Sequence, residues 1–327
     1  MGYTLCVLGC GTMGVAVLSG VVASLEQLPN YYHPNGTLPS FPSSASSSAV
    51  PKWEHHTSGT VTPVGAPDAS LPTRFIACVN REDGVRHLMQ IFHGKGGLSE
   101  SVEIVSNENV ESVKESDVVL LCVKPQHAHS VLSEPGMKEA LRGKLLMSIL
   151  AGVTIPQLEA LVDSSTRVVR AMPNTPCKIR EGMTVVSTLP VKPETELDRQ
   201  IILRIFSSIG RCRFLPEKNF DACTALSASG PAFACVFLEA MADGGVMMGL
   251  PRAEALELAA QTLQGAARMS LQSGTHPAQI KDAVTTPGGC TIAGLLTLED
   301  GKVRSTIARA IQVATERASE LGQPAKK

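Results

Sequence analysis

A loop near the C-terminal end of the chain carries residue types that could bind a small carboxylate. It reads Asp282-Ala283-Val284-Thr285-Thr286-Pro287-Gly288-Gly289-Cys290-Thr291-Ile292 and lies between two segments with helical periodicity. Pro287 ends the preceding segment, and Gly288 and Gly289 let the backbone turn with positive φ. Thr291 adds a hydroxyl at the start of the next helix, whose N-terminal N–H groups attract anions. A plain Pro-Gly turn with a helix cap gives the same pattern, so the loop alone is only a candidate site.

A second group of residues, at the N-terminus, has the spacing of a nucleotide-binding turn. An apolar run from Tyr3 to Leu8 enters Gly9-Cys10-Gly11-Thr12-Met13-Gly14, and helical periodicity follows. In such a strand, turn and helix the first glycine makes the turn and the second admits a pyrophosphate. The third lets the helix pack closely on the strand. We therefore predict that all six residues bind a dinucleotide: Gly9, Cys10, Gly11, Thr12, Met13 and Gly14.

Composition narrows the function classes. The 327 residues are 43% apolar and 18% charged, with a net charge of −1, one Trp and three Tyr. This balance argues for a two-domain globular protein and against a nucleic-acid partner. The nine cysteines are scattered, without zinc-binding spacing, which predicts reduced thiols, no metal and a cytoplasmic location.

Two segments raise the question of targeting or membrane insertion. The first strand begins at Tyr3, which we interpret as leaving no room for a signal peptide. Residues 222–238 carry no charge, but they are short for a membrane span and contain Ser229, Gly230 and Pro231. We predict a buried helix there and no membrane partner.

Alternating apolar runs and helical segments predict an α/β domain over residues 1–217. Residues 27–72 are rich in Ser and Pro and interrupt this pattern, so we predict a flexible insertion. The later predicted strands cover 74–79, 102–105, 117–123, 144–150, 167–171 and 183–187. The predicted helices between them cover 110–114, 126–141, 155–162 and 197–209.

The loops that follow these strands should meet at one edge of a parallel sheet, where cofactors bind in such folds. We therefore predict further cofactor-binding residues at Asn80, Arg81, Val123, Lys124, Pro125, Ala151, Gly152 and Asn174. Asn80 and Arg81 stand where an enzyme that prefers NAD usually has an acid for the ribose 2′-hydroxyl. A cation there suits a 2′-phosphate. The cofactor expected from the sequence is NADPH, with NADH as the alternative.

The rest of the chain, residues 218–327, has helical periodicity throughout. Helices are predicted over 219–248, 252–273, 277–284, 291–299 and 302–321. The first is apolar nearly all round and must be covered on every side, which about 110 residues can hardly do. We expect a second copy of the chain to supply the cover, giving a homodimer or an oligomer of dimers.

Several motifs in this order resemble pyrroline-5-carboxylate reductases. They are the glycine turn, Val123-Lys124-Pro125, Ala151-Gly152-Val153-Thr154, Met172-Pro173-Asn174-Thr175-Pro176, Leu226-Ser227-Ala228-Ser229-Gly230-Pro231-Ala232-Phe233, Ala242-Asp243-Gly244-Gly245 and the 282–292 loop. The similarity covers the chain outside residues 27–72. The last three motifs are the most specific, and the glycine turn is the least.

The resemblance implies the last step of proline biosynthesis, in which NAD(P)H delivers hydride to the C=N carbon of 1-pyrroline-5-carboxylate. It implies a Rossmann-like domain that carries the cofactor, and an all-α dimerisation domain that binds the substrate at a dimer interface. The substrate-binding residues would be Pro287, Gly288, Gly289, Cys290 and Thr291, with backbone N–H groups holding the carboxylate. The Thr291 hydroxyl would also hydrogen-bond the imine nitrogen and is the predicted catalytic group.

Four residues depart from the family pattern. Ala228 stands where Gly is frequent, Ala283 where Asn is frequent, Thr286 in place of Ser and Cys290 in place of Ala. Ala283 weakens any cofactor contact that reaches across from a partner subunit. Cys290 keeps its backbone N–H, so carboxylate binding should survive.

Two other readings explain part of the pattern. A β-hydroxyacid dehydrogenase or another imine reductase shares the two-domain plan. The β-hydroxyacid enzymes usually place a lysine base in the first helix after the Rossmann domain, and residues 222–238 contain no lysine. A non-catalytic dinucleotide-binding regulator would keep the glycines without needing the loop from Thr285 to Thr291.

Overall fold

The computed structural model of the chain describes residues 2–28, 68–94, 96–190 and 192–321. The described residues form two compact units, one made of 2–28, 68–228 and 314–321 and the other of 229–313. Most of the predicted insertion over 27–72 lies outside the described residues. The predicted domain boundary at residue 217 stays a prediction.

The first unit is built on an eight-stranded sheet with the order β3-β2-β1-β4-β5-β6-β7-β8. All neighbouring strands pair in parallel except β6 and β7, which are antiparallel. This arrangement confirms the predicted α/β, Rossmann-like class. The strands are Tyr3–Leu8 (β1), Pro72–Val79 (β2), Val102–Ser106 (β3), Val118–Leu121 (β4), Leu145–Ser148 (β5), Arg167–Met172 (β6), Gly182–Ser187 (β7) and Gly210–Leu215 (β8).

The last strand, β8, was not predicted from the sequence. It reads Gly-Arg-Cys-Arg-Phe-Leu and lies at the edge of the sheet, paired only with β7 among the described strands. Its side chains are half-buried or exposed. An edge strand needs no continuous apolar run, and charged side chains there discourage pairing with other chains, so its sequence resembles a loop.

Helices cover both faces of the sheet. They are Thr12–Glu26 (α1), Glu82–Phe92 (α2), Asn109–Lys114 (α3), Ala128–Leu132 (α4), Met137–Ala140 (α5), Ile155–Glu159 (α6), Glu196–Ser207 (α7) and Phe220–Cys223 (α8). The single helix predicted over 126–141 is wrong. Gly136 has φ +89° and Pro135 has no N–H to donate, so the helix is interrupted between α4 and α5. The helix predicted to reach residue 162 ends at Glu159.

The core consists of two apolar clusters, one on each face of the sheet. Along β1, Leu5 and Val7 join the cluster that contains α1 and α7. Cys6 and Leu8 point to the opposite face and pack in the cluster that contains α4, α5 and α6. A strand buried on both faces explains why β1 reads as an unbroken apolar run.

The second unit is all helical. Its helices are Gly230–Met247 (α9), Arg252–Ser273 (α10), Pro277–Ala283 (α11) and Cys290–Asp300 (α12), and Val303–Leu321 (α13) starts there and ends in the first unit. The long helix predicted over 219–248 is not uniform. A π-helical turn, Thr224–Ala228, lies between α8 and α9, just before Pro231, which cannot donate a backbone hydrogen bond.

The expected burial of this apolar helix is not found among the residues that the structure describes. By length and composition alone, the segment Glu217–Met247 could cross a membrane, and 11% of its most apolar window is buried. Around α9, Val236, Met247 and Met248 are 64%, 81% and 78% exposed. The described residues of the second unit therefore present a large apolar surface, which in a protein generally marks an interaction site.

Candidate active site

The glycine turn forms a tight connection between β1 and α1. Gly9 has φ +77°, and a Cβ there would lie 2.6 Å from Val123 Cγ1, so any larger residue is excluded. The N–H groups of Gly9 and Cys10 donate to the Cys78 carbonyl at 3.1 and 2.8 Å. A Cβ on Gly14 would lie 3.0 Å from Val7 Cγ1, as close helix-on-strand packing requires.

The middle glycine leaves room for a ligand. A Cβ on Gly11 would meet only the Gly9 oxygen, at 4.0 Å, and Gly11 is the N-cap of α1. The first-turn N–H groups of a helix lack intrahelical partners and attract phosphate. Burial raises the pKa of the neighbouring Cys10 thiol to about 12, so at neutral pH Cys10 adds no negative charge beside a pyrophosphate. These features fit a dinucleotide.

The predicted residues after β2 and β4 lie on the same sheet edge. Arg81 is the N-cap of α2 and is exposed, and neither Arg81 nor Lys124 makes an ion pair within the described part of the chain. Glu82 and Asp83 occupy the first turn of α2, where acids complement the helix dipole. Two cations at the carboxyl ends of β2 and β4, the strands on either side of β1, favour an anionic ligand.

The loop after β5 is fixed by a helix cap. Gly152 has φ +76°. Thr154 caps α6 in a capping box, with its backbone N–H donating to the Gln157 side chain at 2.8 Å. The N–H of Ile155 donates to Glu217 Oε1 at 2.9 Å. Ala151 and Gly152 are therefore held at the edge by residues on their C-terminal side.

Asn174, which follows β6, uses its side chain within the protein. Its Oδ1 accepts from the Met183 N–H at 2.8 Å, and its Nδ2 donates to the Ser227 carbonyl at 3.1 Å. The amide thus ties the loop after β6 to β7 and to the π-helical turn. Its predicted contact with cofactor stays a prediction, and any such contact would have to share an amide already engaged in these bonds.

The candidate substrate loop in the second unit is a type II turn that enters a helix. Pro287 and Gly288 occupy its central positions, Gly288 has φ +66°, and the Gly289 N–H donates to the Thr286 carbonyl at 3.1 Å. This geometry requires a residue that tolerates positive φ at the third position. The turn places Gly289 as the N-cap of α12.

The predicted carboxylate donors differ in how they are engaged within the protein. The Gly289 N–H donates to the Thr286 carbonyl, so a contact of this group with the substrate, which stays a prediction, would have to share that N–H. The Gly288 N–H makes no backbone hydrogen bond among the described residues, and the first-turn N–H groups of Cys290 and Thr291 have no intrahelical partner by geometry. Within the described residues, the Thr291 hydroxyl makes no hydrogen bond, so it is free to contact a ligand.

No group of three or more metal-ligating side chains occurs among the described residues. In the first unit, the glycine turn and the cations at the sheet edge suit a nucleotide. In the second unit, the amides and hydroxyl at the start of α12 suit a small anionic ligand.

Comparison with known proteins identifies the family. Residues 217–321 match the family model described as pyrroline-5-carboxylate reductase dimerisation. Residues 65–152 match one described as NADP oxidoreductase, coenzyme F420-dependent. The pyrroline-5-carboxylate reductase of Schizosaccharomyces pombe is 46% identical over 97% of this chain and 99% of its own length. This chain belongs to the pyrroline-5-carboxylate reductase family.

Other family members agree over the full length. The pyrroline-5-carboxylate reductase of Neurospora crassa is 41% identical, over 98% of this chain and 93% of its own. Among solved structures, the Plasmodium falciparum enzyme with NADP bound is 27% identical with a TM-score of 0.69, over 98% of each chain. The Coxiella burnetii pyrroline-5-carboxylate reductase is 25% identical with a TM-score of 0.76, over 99% of this chain and 100% of that one.

Within this member of the reductase family, the structure gathers the predicted residues in two places. The cofactor-binding candidates, from Gly9 to Asn174, all lie at the carboxyl ends of β1, β2, β4, β5 and β6 in the first unit. The substrate-binding candidates, 287–291, lie in one turn of the second unit. The ion pair between Arg170 on β6 and Glu217, with Nη1 and Oε1 3.2 Å apart, was not predicted, because residues so far apart in the sequence give no local signal.

Proposed function

We propose that this chain reduces 1-pyrroline-5-carboxylate to L-proline with NAD(P)H, the last step of proline biosynthesis. The observation that carries the proposal is the 286–291 turn, which places first-turn amides of α12 and the Thr291 hydroxyl, unpaired within the described residues, at a helix N-terminus. The glycine turn and the cationic sheet edge supply a second site, suited to a dinucleotide. Membership of the reductase family, through relatives that bear this name, supports the same conclusion.

The residues of the loop would perform most of the work by positioning. The amides of Cys290 and Thr291 hold the carboxylate, and the helix dipole favours its negative charge. The Thr291 hydroxyl donates to the imine nitrogen, which makes the C=N carbon a better acceptor. When bound, the reduced nicotinamide supplies the hydride. The nitrogen gains a proton, with solvent as the final source, so that one imine becomes one secondary amine.

Cofactor oxidation tests this proposal and separates it from the alternatives. Purified protein is assayed in three separate reactions. The first contains NADPH and pyrroline-5-carboxylate, the second contains NADP and one of a series of β-hydroxyacids, and the third contains NADPH without substrate. We expect turnover with the imino acid alone and L-proline as the product. Turnover with a hydroxyacid would support the dehydrogenase reading. Nucleotide binding without any turnover would support a regulator.

We propose NADPH as the preferred cofactor, with NADH as the alternative, because Arg81 is exposed and unpaired within the described residues at the end of β2. A charge-assisted contact with the 2′-phosphate corresponds to about a 10-fold to 100-fold effect. An Arg81→Gln variant should therefore raise the KM for NADPH by about tenfold and leave the KM for NADH unchanged. Steady-state kinetics with both cofactors measures this difference.

A matched control lies one turn further along the same helix. Arg86 is also exposed but pairs with Asp83 at 2.5 Å, so Arg86→Gln removes the same charge without touching the expected phosphate site. It should leave both KM values within about twofold, as expected for a solvated surface pair. An equal rise in KM for NADPH and NADH in the Arg81 variant would overturn the assignment.

We propose that the chain forms a homodimer, or a larger oligomer of dimers, through the second unit. The exposed side chains of Val236, Met247 and Met248 support this, since a second copy would cover them. Sedimentation at micromolar concentration should show no monomer. A stable monomer in detergent-free buffer would contradict the proposal.

We propose a cytoplasmic location. All nine cysteines are free thiols, as expected in a reducing compartment. Cys6 and Cys78 are free even though their sulfurs are only 3.7 Å apart. Cell fractionation of the native protein would test it, and recovery in a membrane-bound organelle would contradict it.

A further inference from the structure

One charged side chain beneath the cofactor edge is buried almost completely. Arg170 lies on β6 and is 3% exposed. Its Nη1 lies 3.2 Å from Glu217 Oε1, and its guanidinium carbon lies 4.9 Å from the centre of the Phe220 ring. Its Nε is buried without a hydrogen-bond partner among the described residues. Burying a charge in this way is costly, and a single buried ion pair contributes little net stability.

The partner of Arg170 connects it to the cofactor edge. Glu217 Oε1 accepts from the N–H of Ile155 at 2.9 Å, in addition to its contact with Arg170. Ile155 is the first residue of α6 and follows directly after Ala151-Gly152-Val153-Thr154. One carboxylate oxygen therefore joins a buried arginine to the end of the loop that leaves β5.

Apart from Glu217, the described contacts that hold the C-terminal end of this loop are those of the Thr154–Gln157 capping box, which join the loop to its own helix and not to the rest of the unit. Gly152 has φ +76°, Ala151 is exposed, and Pro156 has no N–H to bond. The Glu217 side chain is 29% exposed. If the arginine were removed, this side chain would turn to solvent, because its remaining described partner is one neutral N–H. The start of α6 would then lose its fixed acceptor.

We propose that Arg170 is a positioning residue for cofactor binding. Through Glu217 it fixes the N-terminus of α6 and, with it, the Ala151–Thr154 loop at the sheet edge. Phe220 packs on the other side of the guanidinium and belongs to a buried cluster with Met172 and Val185, so the arginine itself is held in place. The inference rests on the proposed function, because it assigns this loop to the cofactor.

The first test compares the Arg170→Met variant with a control variant, Arg167→Met, which removes another arginine from the same strand. Arg167 pairs with Asp198 through two hydrogen bonds, of 2.5 and 3.1 Å, but it stands at the opposite end of β6 from the cofactor edge. We expect Arg170→Met to raise the KM for NADPH by about tenfold, because the charge-assisted contact between Arg170 and Glu217 is lost. The KM for pyrroline-5-carboxylate should change less. Arg167→Met should lower the melting temperature and leave both KM values unchanged.

A lysine variant and a double variant distinguish a positioning role of Arg170 from a general effect on stability. The Arg170 contact with Glu217 is a single N–O pair, so Arg170→Lys should restore most of the affinity for NADPH. Glu217→Gln should raise the same KM, and the double variant should be no worse than Arg170→Met alone, because the two residues act as a unit. Should Arg170→Met not fold, the lysine and glutamine variants still provide the comparison.

Three results would overturn the proposal. They are an unchanged KM for NADPH in folded Arg170→Met, an equal rise in Arg167→Met, and additive effects in the double variant. Failure of the proposed function would look different, because the unaltered protein and the Arg167 variant would then also lack activity. Titration calorimetry with NADP alone gives the same comparison of affinities without turnover.

Discussion

A Thr291→Ala variant should reduce pyrroline-5-carboxylate with a kcat/KM about 10-fold to 10³-fold below that of the unaltered enzyme. Thr291 lies in the first turn of α12, and its hydroxyl has no partner within the described residues. No acid follows the Pro-Gly turn before Glu299, so we assign the donor for the imine nitrogen to this hydroxyl. Its removal leaves positioning by the backbone amides intact. The loss should appear in kcat more than in the KM for the cofactor.

Two further variants make the Thr291 result specific. Thr291→Ser keeps the hydroxyl and should recover most of the activity. Thr297→Ala removes a hydroxyl from the same helix that bonds the Ala293 carbonyl at 3.2 Å, and it should leave turnover within about twofold, as for other surface changes. All three should fold, because none fills or empties a core. Turnover by Thr291→Ala at the unaltered rate would remove the catalytic role assigned to this residue.

Gly9→Ala should raise the dissociation constant for NADPH on the order of 10²-fold and lower the melting temperature. The new Cβ would lie 2.6 Å from Val123 Cγ1 and 2.9 Å from the Val123 backbone nitrogen. A backbone atom cannot rotate away, so the turn or the Val123–Pro125 loop must shift. Positive φ adds roughly 1–2 kcal/mol of strain, and a displacement of about 1 Å in a binding site has effects of this size. Calorimetric titration with NADPH measures the affinity.

Gly143→Ala separates the collision from the strain. Gly143 also has positive φ, +69°, but a Cβ there would meet nothing within 4 Å. This variant should lose a similar amount of stability to strain and bind NADPH normally. If Gly9→Ala bound NADPH as tightly as Gly143→Ala does, the close fit of the glycine turn would have no bearing on the cofactor.

The sequence predicted the features that depend on local chemistry. The glycine turn was readable because its conformation needs glycine at fixed positions, and Gly9 and Gly14 fit as expected. Pro287 and the two glycines predicted a helix start at residue 291, one residue after the observed start at Cys290. One contact in this loop was not predicted, the hydrogen bond from the Gly289 N–H to the Thr286 carbonyl. It depends on the turn type, and the turn type depends on φ values that residue spacing alone does not fix.

The features that the sequence did not reveal depend on tertiary neighbours. Arg170 and Glu217 are 47 residues apart, and Glu217 and Ile155 are 62 apart, so neither pair leaves a periodic signal. β8 was missed because an edge strand does not need buried side chains. The sequence predicts a buried helix around α9, but the described residues of one chain leave most of its apolar side chains exposed.

The most direct measurement is the crystal structure of the protein soaked with NADP and a proline-like carboxylic acid. We expect the pyrophosphate at Gly11 and the N-terminus of α1. We expect the acid's carboxylate within hydrogen-bond distance of the Cys290 and Thr291 backbone nitrogens. An acid bound away from residues 288–291, with the nucleotide in place, would contradict the mechanism even if the enzyme still produced proline.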